Sequence, residues 1–205
     1  MPHPLLTASD ALLIDLDGTL VDSTAPVTRA WSAFADRHRL DRYHVLRYAQ
    51  GRPSRETVAA FVAPDQRAEE AAAVEHAEIH DTDGVTALPG AHAILRFGRR
   101  LAIVTSCSTA LATARLTAAR LPVPELLISS DGLTHGKPDP ECFLLAAQRL
   151  GIPPSRCLVL EDAPAGIAAG RAAGAKVLAL RTTHPDHELR DADAVTDNLN
   201  TLLTG

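Results

Sequence analysis

The alternation of short apolar runs with longer amphipathic stretches restricts the fold of this chain more than any other feature. Runs typical of buried strands occupy residues 11–14, 101–104, 157–160 and 176–180, with a weaker run at 126–128. Helical patterns rich in Ala and Leu separate most of these runs, over residues 91–99, 108–119, 140–150 and 164–173. Strands that alternate with helices are typical of βαβ units. The sequence therefore predicts an α/β fold with a doubly wound, Rossmann-like parallel sheet.

The alternation stops between residues 22 and 88. Helical patterns fill this stretch, at 25–39, 42–49, 53–62 and 66–80, and it contains no convincing strand. A polar break at 81–84 resembles a hinge, and the core pattern resumes near Leu88. A helical insertion after the first strand is the simplest explanation. We predict an α/β core formed by residues 1–21 and 89–205 and an α-helical cap formed by residues 22–88.

The composition narrows the classes of function. A formal net charge of −5 argues against a general affinity for nucleic acid or for anionic membranes. The N-terminus lacks a basic and apolar signal segment, and no apolar run approaches the length of a membrane span. We therefore expect a cytoplasmic protein with no nucleic-acid or membrane partner. The 3 cysteines are too few and too scattered for a disulfide framework or a zinc cluster.

Polar side chains cluster where the predicted strands end. They are Asp15 and Asp17, Thr105 and Ser106, and Glu161 and Asp162. In open α/β sheets the ligand site lies outside the carboxyl ends of the strands, so we expect these clusters to share one edge of the sheet. Lys137, in a turn that contains Pro138, adds a cation. Acidic oxygens suit Mg²⁺, while lysine, hydroxyls and helix N-termini suit phosphate.

Two other readings of these motifs fail, and one remains for the first motif alone. A calcium loop beginning at Asp15 requires Gly and Glu where the chain has Leu20 and Pro26. A Walker loop ending in Lys137 requires Gly and Ser or Thr where the chain has Asp131 and Pro138. Taken alone, the Asp15 motif also fits a turn with capping aspartates. The whole set, in this order, favours a magnesium and phosphate site.

These four motifs resemble those of the haloacid dehalogenase superfamily, in the branch with a small helical (C1) cap after the first motif. The resemblance runs nearly from end to end. The stretches 136–150 and 160–174 look most like bacterial sugar-phosphate phosphatases and the yeast glycerol-3-phosphate and 2-deoxyglucose-6-phosphate phosphatases. The resemblance implies a Mg²⁺-dependent phosphatase that hydrolyses a small sugar or polyol phosphate.

The resemblance also implies roles for the core residues. Asp15 would be the nucleophile that accepts the phosphoryl group, and Asp17 would protonate the leaving alcohol and later take a proton from water. Thr105, the backbone near Ser106, and Lys137 would hold the phosphoryl oxygens.

Magnesium binding and substrate selection are implied in the same way. Mg²⁺ would bind the carboxylates of Asp15 and Asp162 and the backbone carbonyl of Asp17. Glu161 would either bind the ion directly or contact the residues that do. In the cap, Arg52 and Arg55 would face the substrate, although arginines at a helix start are otherwise often exposed to solvent.

The same motifs leave three alternative functions open. A β-phosphoglucomutase of this superfamily shares every core motif and differs in how the cap handles a second phosphate. A haloacid dehalogenase needs neither Mg²⁺ nor an aspartate at position 17. A non-catalytic binding module would be expected to have lost Asp15 or Lys137, and the chain has both.

Overall fold

The computed structural model describes residues 1–204 and contains a six-stranded parallel sheet. The sheet strands are β1 (Ala11–Ile14), β4 (Arg100–Val104), β5 (Leu127–Ile128), β6 (Cys157–Glu161), β7 (Lys176–Leu180) and β8 (Ala194–Thr196). Their spatial order is β5-β4-β1-β6-β7-β8, so the central strand β1 pairs with β4 on one side and β6 on the other. Reading the sheet strands in chain order, this is the 3-2-1-4-5-6 arrangement of a doubly wound sheet. The predicted fold class is confirmed.

Helices cover both faces of the sheet. Those outside the predicted cap are α1 (Pro4–Ala8), α6 (Ala91–Ile94), α7 (Thr109–Ala118), α8 (Glu141–Leu150), α9 (Pro164–Ala172), α10 (Asp186–Leu189) and α11 (Leu199–Thr204), with a 3-10 turn at Pro154–Arg156. Because side chains alternate along a strand, Leu12 and Ile14 pack into the core layer that contains α7, whereas Leu13 packs into the layer that contains α8 and α9. Both faces of the sheet are therefore buried.

The predicted cap segment forms a helical unit with its own small core. Its helices are α2 (Thr24–Arg37), α3 (Arg42–Ala49), α4 (Ser54–Phe61) and α5 (Arg67–His80). Trp31 and Phe34 of α2 are buried together with Val45, Val58 and Val74 of the other three helices. A two-stranded antiparallel ribbon, β2 (Val21–Asp22) with β3 (Thr86–Ala87), joins the two ends of this segment. The exact domain boundaries at residues 21 and 89 stay a prediction.

Several elements differ from the sequence prediction. The ribbon strands, β8 and the short helices α1, α10 and α11 were not predicted, since each is too short to show a periodic pattern. The helix predicted over 91–99 ends at Ile94, and Gly98 takes a left-handed conformation with φ 78° that a helix cannot continue through. Among residues 1–204, no helix has both the length and the apolar character needed to cross a bilayer.

Candidate active site

Three neighbouring strands bring the predicted polar residues to one edge of the sheet. Asp15 directly follows β1, Thr105 directly follows β4, and Glu161 is the last residue of β6. The backbone continues the ladder at these positions, since Asp15 N–H donates to the Leu160 carbonyl at 2.9 Å. The site therefore lies outside the carboxyl ends of the central strands, where the strand order reverses.

Lys137 lies at the centre of a buried group of acids. Its Nζ donates to Oδ1 of Asp15 at 2.5 Å, to Oε1 of Glu161 at 2.7 Å and to the Val104 carbonyl at 3.2 Å. Asp15, Lys137 and Glu161 are each less than a tenth exposed. The ammonium group thus uses all three of its N–H donors within the protein and ties the ends of β1, β4 and β6 together.

The carboxylates of Asp15, Glu161 and Asp162 converge on one point. One oxygen from each lies within 4.8 Å of the others, and all three residues are buried. Asp162 accepts hydrogen bonds from the hydroxyls of Thr19 and Thr183, which fix its carboxylate. Three hard oxygen donors in this arrangement fit a divalent cation such as Mg²⁺.

Electrostatics support the same assignment. Burial raises the pKa of Asp15 to about 8, although Lys137 acts in the opposite direction. Burial also raises the pKa of Asp162 well above its ordinary value, and the charge of Glu161 adds to this effect. For Lys137, burial alone would lower the pKa, but the carboxylates of Asp15 and Glu161 outweigh it and raise the pKa. Three carboxyl groups lie beside the single cation of Lys137, and the raised pKa values of Asp15 and Asp162 show that their charged forms lack sufficient compensation, so a bound cation would stabilise those forms.

Two glycines allow the acids to approach the backbone. A Cβ at Gly166, in the first turn of α9, would lie 1.6 Å from Oε1 of Glu161. A Cβ at Gly18 would lie 2.2 Å from Oδ2 of Asp162, and Gly18 also has a φ of 81°. The other oxygen of Glu161 accepts from the N–H groups of Asp162 and Ala163 at 2.9 and 3.0 Å. Glycine is therefore required where the two acids are held.

Asp17 is held separately from the Lys137 group. Its Oδ1 accepts from the hydroxyl of Ser23 at 2.6 Å, and its Oδ2 accepts from Nη1 of Arg115 at 2.6 Å. The Cys107 thiol lies 3.1 Å from the same Oδ2, and burial raises the pKa of this thiol well above its ordinary value. Asp17 therefore points towards α7, where Arg115 lies, while Asp15 points towards Lys137.

Three further residues of the site, Arg115, Glu78 and Thr183, were not predicted from the sequence. Arg115 lies within the apolar pattern of α7, between the buried residues Leu111 and Leu116. A charged residue on an apolar helix face was the signal that could have identified it. Thr183 follows β7 by three residues, so the rule that placed the other sites at strand ends applies to it as well.

A cleft of about 280 Å³ lies between the cap helices and this edge of the sheet. The predicted residues that line it are Asp15, Asp17, Arg52, Thr105, Ser106, Glu161 and Asp162. The hydroxyl of Ser106 donates to the Gly51 carbonyl at 2.9 Å, which joins the core to the cap loop. Trp31 of α2 contributes an apolar wall. Acids, hydroxyls and an arginine therefore line one shared cleft.

Arg52 and Arg55 take different positions. Arg52 lines the cleft, donates from Nη1 to the Tyr48 carbonyl at 2.8 Å, and has its guanidinium carbon 4.5 Å from the centre of the Tyr48 ring. Arg55 lies outside the cleft lining, where its guanidinium is 3.4 Å from the Ser130 carbonyl and 3.5 Å from that of Leu133. Arg55 instead shares a small neighbouring pocket with Thr105, Ser106 and Lys137, so each arginine lies beside some of the predicted site residues. Substrate contact by either arginine stays a prediction.

Comparison with known proteins identifies the family. The model of haloacid dehalogenase-like hydrolases matches residues 9–174. The chain is 43% identical over 197 residues to hexitol phosphatase A of Escherichia coli K12, covering 93% of this chain and 91% of that protein. It is 31% identical over 219 residues to glycerol-1-phosphate phosphohydrolase 1 of Saccharomyces cerevisiae, covering 98% and 87%.

A solved structure supports the same conclusion. A hydrolase from Pseudomonas syringae superposes with a TM-score of 0.86 at 26% identity, and the match covers 95% of each chain. The resemblance predicted from the four motifs is confirmed, and this chain belongs to the haloacid dehalogenase-like hydrolase family.

Proposed function

We propose that this protein is a Mg²⁺-dependent phosphoric monoester hydrolase that acts on a small sugar or polyol phosphate. The observation that carries the proposal is the buried group of Asp15, Lys137, Glu161 and Asp162. Its three acids line the cleft, and Lys137 forms ion pairs with Asp15 and Glu161. Catalysis of phosphoryl transfer depends mainly on a positioned nucleophile and on stabilisation of charge. This group has the residue types to supply both.

The residues fit a magnesium ion at the meeting point of the acids. Asp15 and Asp162 would bind it through their carboxylates, and Asp17 through its backbone carbonyl. Both oxygens of Glu161 already accept hydrogen bonds from Lys137 and from backbone N–H groups, which suits a position just behind the ion. When bound, Mg²⁺ supplies positive charge that offsets the negative charge of the acids and of the phosphoryl oxygens.

The proposed reaction has two steps, with Asp15 as the group carrier. In the first step a carboxylate oxygen of Asp15 forms a bond to phosphorus, and the bond from phosphorus to the ester oxygen breaks. Asp17 gives its proton to that ester oxygen, so the alcohol leaves neutral. In the second step water attacks phosphorus, its proton passes to Asp17, and Asp15 leaves as a carboxylate with release of phosphate.

Lys137 and Thr105 hold the phosphoryl group in this scheme. Lys137 contacts Asp15, so its charge lies beside the group that accepts the phosphoryl, and a phosphoryl oxygen would take over one of the three hydrogen bonds that Lys137 now donates within the protein. Thr105 is buried at the end of β4, and its hydroxyl accepts from the N–H of Cys107 at 3.1 Å, which leaves the hydroxyl proton to be donated. Ser106 would contribute its backbone N–H. Charged and neutral donors fixed before the substrate binds cost no reorganisation during the reaction.

The cleft supports the size class of the substrate. Its volume of about 280 Å³ lies at the lower end for ligand pockets, which suits a small ester. The side chains of Thr24, Thr28 and Gln50 face it from the cap segment and could pair with hydroxyl groups, and Arg52 adds a cation. The two phosphatases named above carry a hexitol and glycerol 1-phosphate in their names. These observations support a polyol or sugar phosphate.

A phosphate-release screen tests the proposal. Purified protein with Mg²⁺ is offered sorbitol 6-phosphate, glycerol 1-phosphate and a panel of sugar phosphates, and Asp15→Asn is the matched control. We expect Mg²⁺-dependent release from at least one polyol or sugar phosphate by the wild-type protein alone. Release from none of them would contradict the proposal. Conversion of β-glucose 1-phosphate to glucose 6-phosphate without free phosphate would instead identify a mutase. Cytoplasmic location and the lack of a nucleic-acid partner stay predictions from the sequence.

A further inference from the structure

Arg115 occupies a buried position between the core and the cap. Its Nη1 donates to Oδ2 of Asp17 at 2.6 Å, and its Nη2 donates to Oε1 of Glu78 at 2.8 Å. Glu78 belongs to α5 of the cap segment, whereas Arg115 belongs to α7 of the core. The side chains of Arg115 and Glu78 are each only 4% exposed, and that of Asp17 is 27% exposed. One guanidinium therefore connects the cap to Asp17.

Stability alone is a weak reason for such an arrangement. Burying an arginine and a glutamate removes both charges from water, and their attraction often does no more than offset that cost. Apolar side chains of similar volume would fill the same space at least as well. Arg115 and Glu78 both line the cleft, and their shared neighbour Asp17 is the proposed acid and base. A functional role is the better explanation for the pair.

The donors around Asp17 distinguish its two oxygens. Arginine donates hydrogen bonds and cannot accept them, so the oxygen that faces Arg115 is an acceptor and does not carry a proton. The other oxygen, Oδ1, faces the Ser23 hydroxyl at 2.6 Å. A hydroxyl can donate to an ionised carboxylate and accept from a protonated one. Oδ1 can therefore gain and lose a proton without breaking the contact with Arg115.

We propose that Arg115 is a positioning residue for the acid–base steps, which holds Oδ2 of Asp17 against α7 so that Oδ1 exchanges the proton with the substrate. Glu78 of the cap fixes Arg115, so the orientation of Asp17 depends on the position of the cap relative to the core. The inference rests on the proposed function. It adds a residue whose part in the reaction is to orient the side chain of Asp17.

The leaving group provides the test. Sorbitol 6-phosphate releases an alkoxide that needs a proton, whereas 4-nitrophenyl phosphate releases a stable anion that does not. The kcat/KM of each ester reports transfer of the phosphoryl group to Asp15. For Arg115→Met we expect kcat/KM on sorbitol 6-phosphate to fall by about tenfold to a hundredfold. This is less than the full loss of a general acid, because Asp17 is still present but no longer held in place. The fall on 4-nitrophenyl phosphate should stay below about threefold.

A second background shows whether Arg115 acts through Asp17. In Asp17→Asn, which already lacks the acid, the added Arg115→Met change should lower kcat/KM on sorbitol 6-phosphate by less than about threefold, because the two changes remove one function. If Arg115→Met fails to fold, Arg115→Met with Glu78→Gln replaces it, since this pair of changes removes the buried charge of Glu78 together with that of Arg115. Arg149→Met, on the exposed side of α8, is the matched control and should match the wild-type protein.

Three results would overturn the inference. The first is an equal loss on both esters, which would assign Arg115 to folding or to phosphate binding. The second is an unchanged or higher kcat/KM on sorbitol 6-phosphate. The third is a full additional loss in the Asp17→Asn background. A wild-type protein without phosphatase activity on either ester would overturn the proposed function and this inference with it, and that outcome is distinguishable because no variant is needed to observe it.

Discussion

Replacing Arg52 with Ala tests whether the cap selects the substrate while the core performs the chemistry. Arg52 is partly buried and lines the cleft, and its guanidinium is already fixed by the Tyr48 carbonyl and ring. Only Nη1 makes that hydrogen bond, so Nε and Nη2 remain available to donate to a hydroxyl group of the substrate. A cation held in advance loses little entropy when the substrate binds.

The magnitude follows from the contacts that are lost. A hydrogen bond from a charged group contributes about 1.5 to 3 kcal/mol, which corresponds to about tenfold to a hundredfold in kcat/KM. Arg52→Ala also removes the hydrogen bond and the stacking contact with Tyr48. Those contacts lie within the cap and affect every substrate alike, so they cancel in the ratio of two esters. We therefore expect the kcat/KM ratio of sorbitol 6-phosphate to 4-nitrophenyl phosphate to fall by about tenfold to a hundredfold.

The assay measures both esters on one preparation of each protein. Equal losses on the two esters, or no loss on either, would refute substrate contact by Arg52. Arg55→Ala is the companion variant, because Arg55 lies near carbonyl groups of the core loop at Ser130 and Leu133. A lowered ratio for Arg55→Ala would support substrate contact, and an unchanged ratio with lower activity would assign Arg55 to holding the cap on the core.

Three further predictions concern the metal, the packing and the pH dependence. Removal of divalent cations with EDTA should abolish phosphate release, and Mg²⁺ should restore it. Ca²⁺ should inhibit, because it takes more ligands than Mg²⁺ in a less rigid geometry. Full activity in metal-free protein would contradict this prediction. Gly166→Ala should lower the free energy of unfolding, measured in urea, by about 1 to 3 kcal/mol, because the new Cβ would lie 1.6 Å from Oε1 of Glu161. The displaced Glu161 should also weaken activation by Mg²⁺. Wild-type behaviour in both measurements would contradict this prediction. Burial raises the pKa of Glu78 from 4.5 to about 7, so the folded state holds the proton more tightly than the unfolded state and the free energy of unfolding falls as pH rises through this interval. Glu78→Gln should remove that part of the fall when urea unfolding is compared at the two ends of the interval, and identical pH dependence in both proteins would disprove the assignment.

The features that the sequence predicts are those encoded by local pattern. The four long strands and most of the longer helices follow from periodicity, and their bounds agree within a few residues except for α6. The grouping of Asp15, Thr105 and Glu161 follows from a general rule, because parallel strands place their carboxyl ends at one edge of the sheet. Thr183 obeys the same rule but stands in a polar loop, where hydroxyl side chains are common and carry little signal.

The contacts that the sequence does not predict depend on distant pairs. Arg115 meets Asp17, 98 positions away, and Glu78, 37 positions away, so its neighbours gave no local sign of either contact. The different surroundings of Arg52 and Arg55 depend on how α4 and its preceding loop pack on the core, since the two arginines are only three positions apart in the sequence. Elements of two or three residues, such as β2, β3 and β8, form because a neighbouring strand is present rather than because of their own composition.

The central claim is that Asp15 carries the phosphoryl group during turnover. The direct measurement is to quench the wild-type protein in acid during turnover of sorbitol 6-phosphate with Mg²⁺ and to locate the modification by peptide mass spectrometry. We predict one phosphoryl group on Asp15, and neither this modification nor turnover in Asp15→Asn, whose amide cannot attack phosphorus. A phosphoryl group on another residue, or turnover by Asp15→Asn within about tenfold of the wild-type rate, would contradict the account.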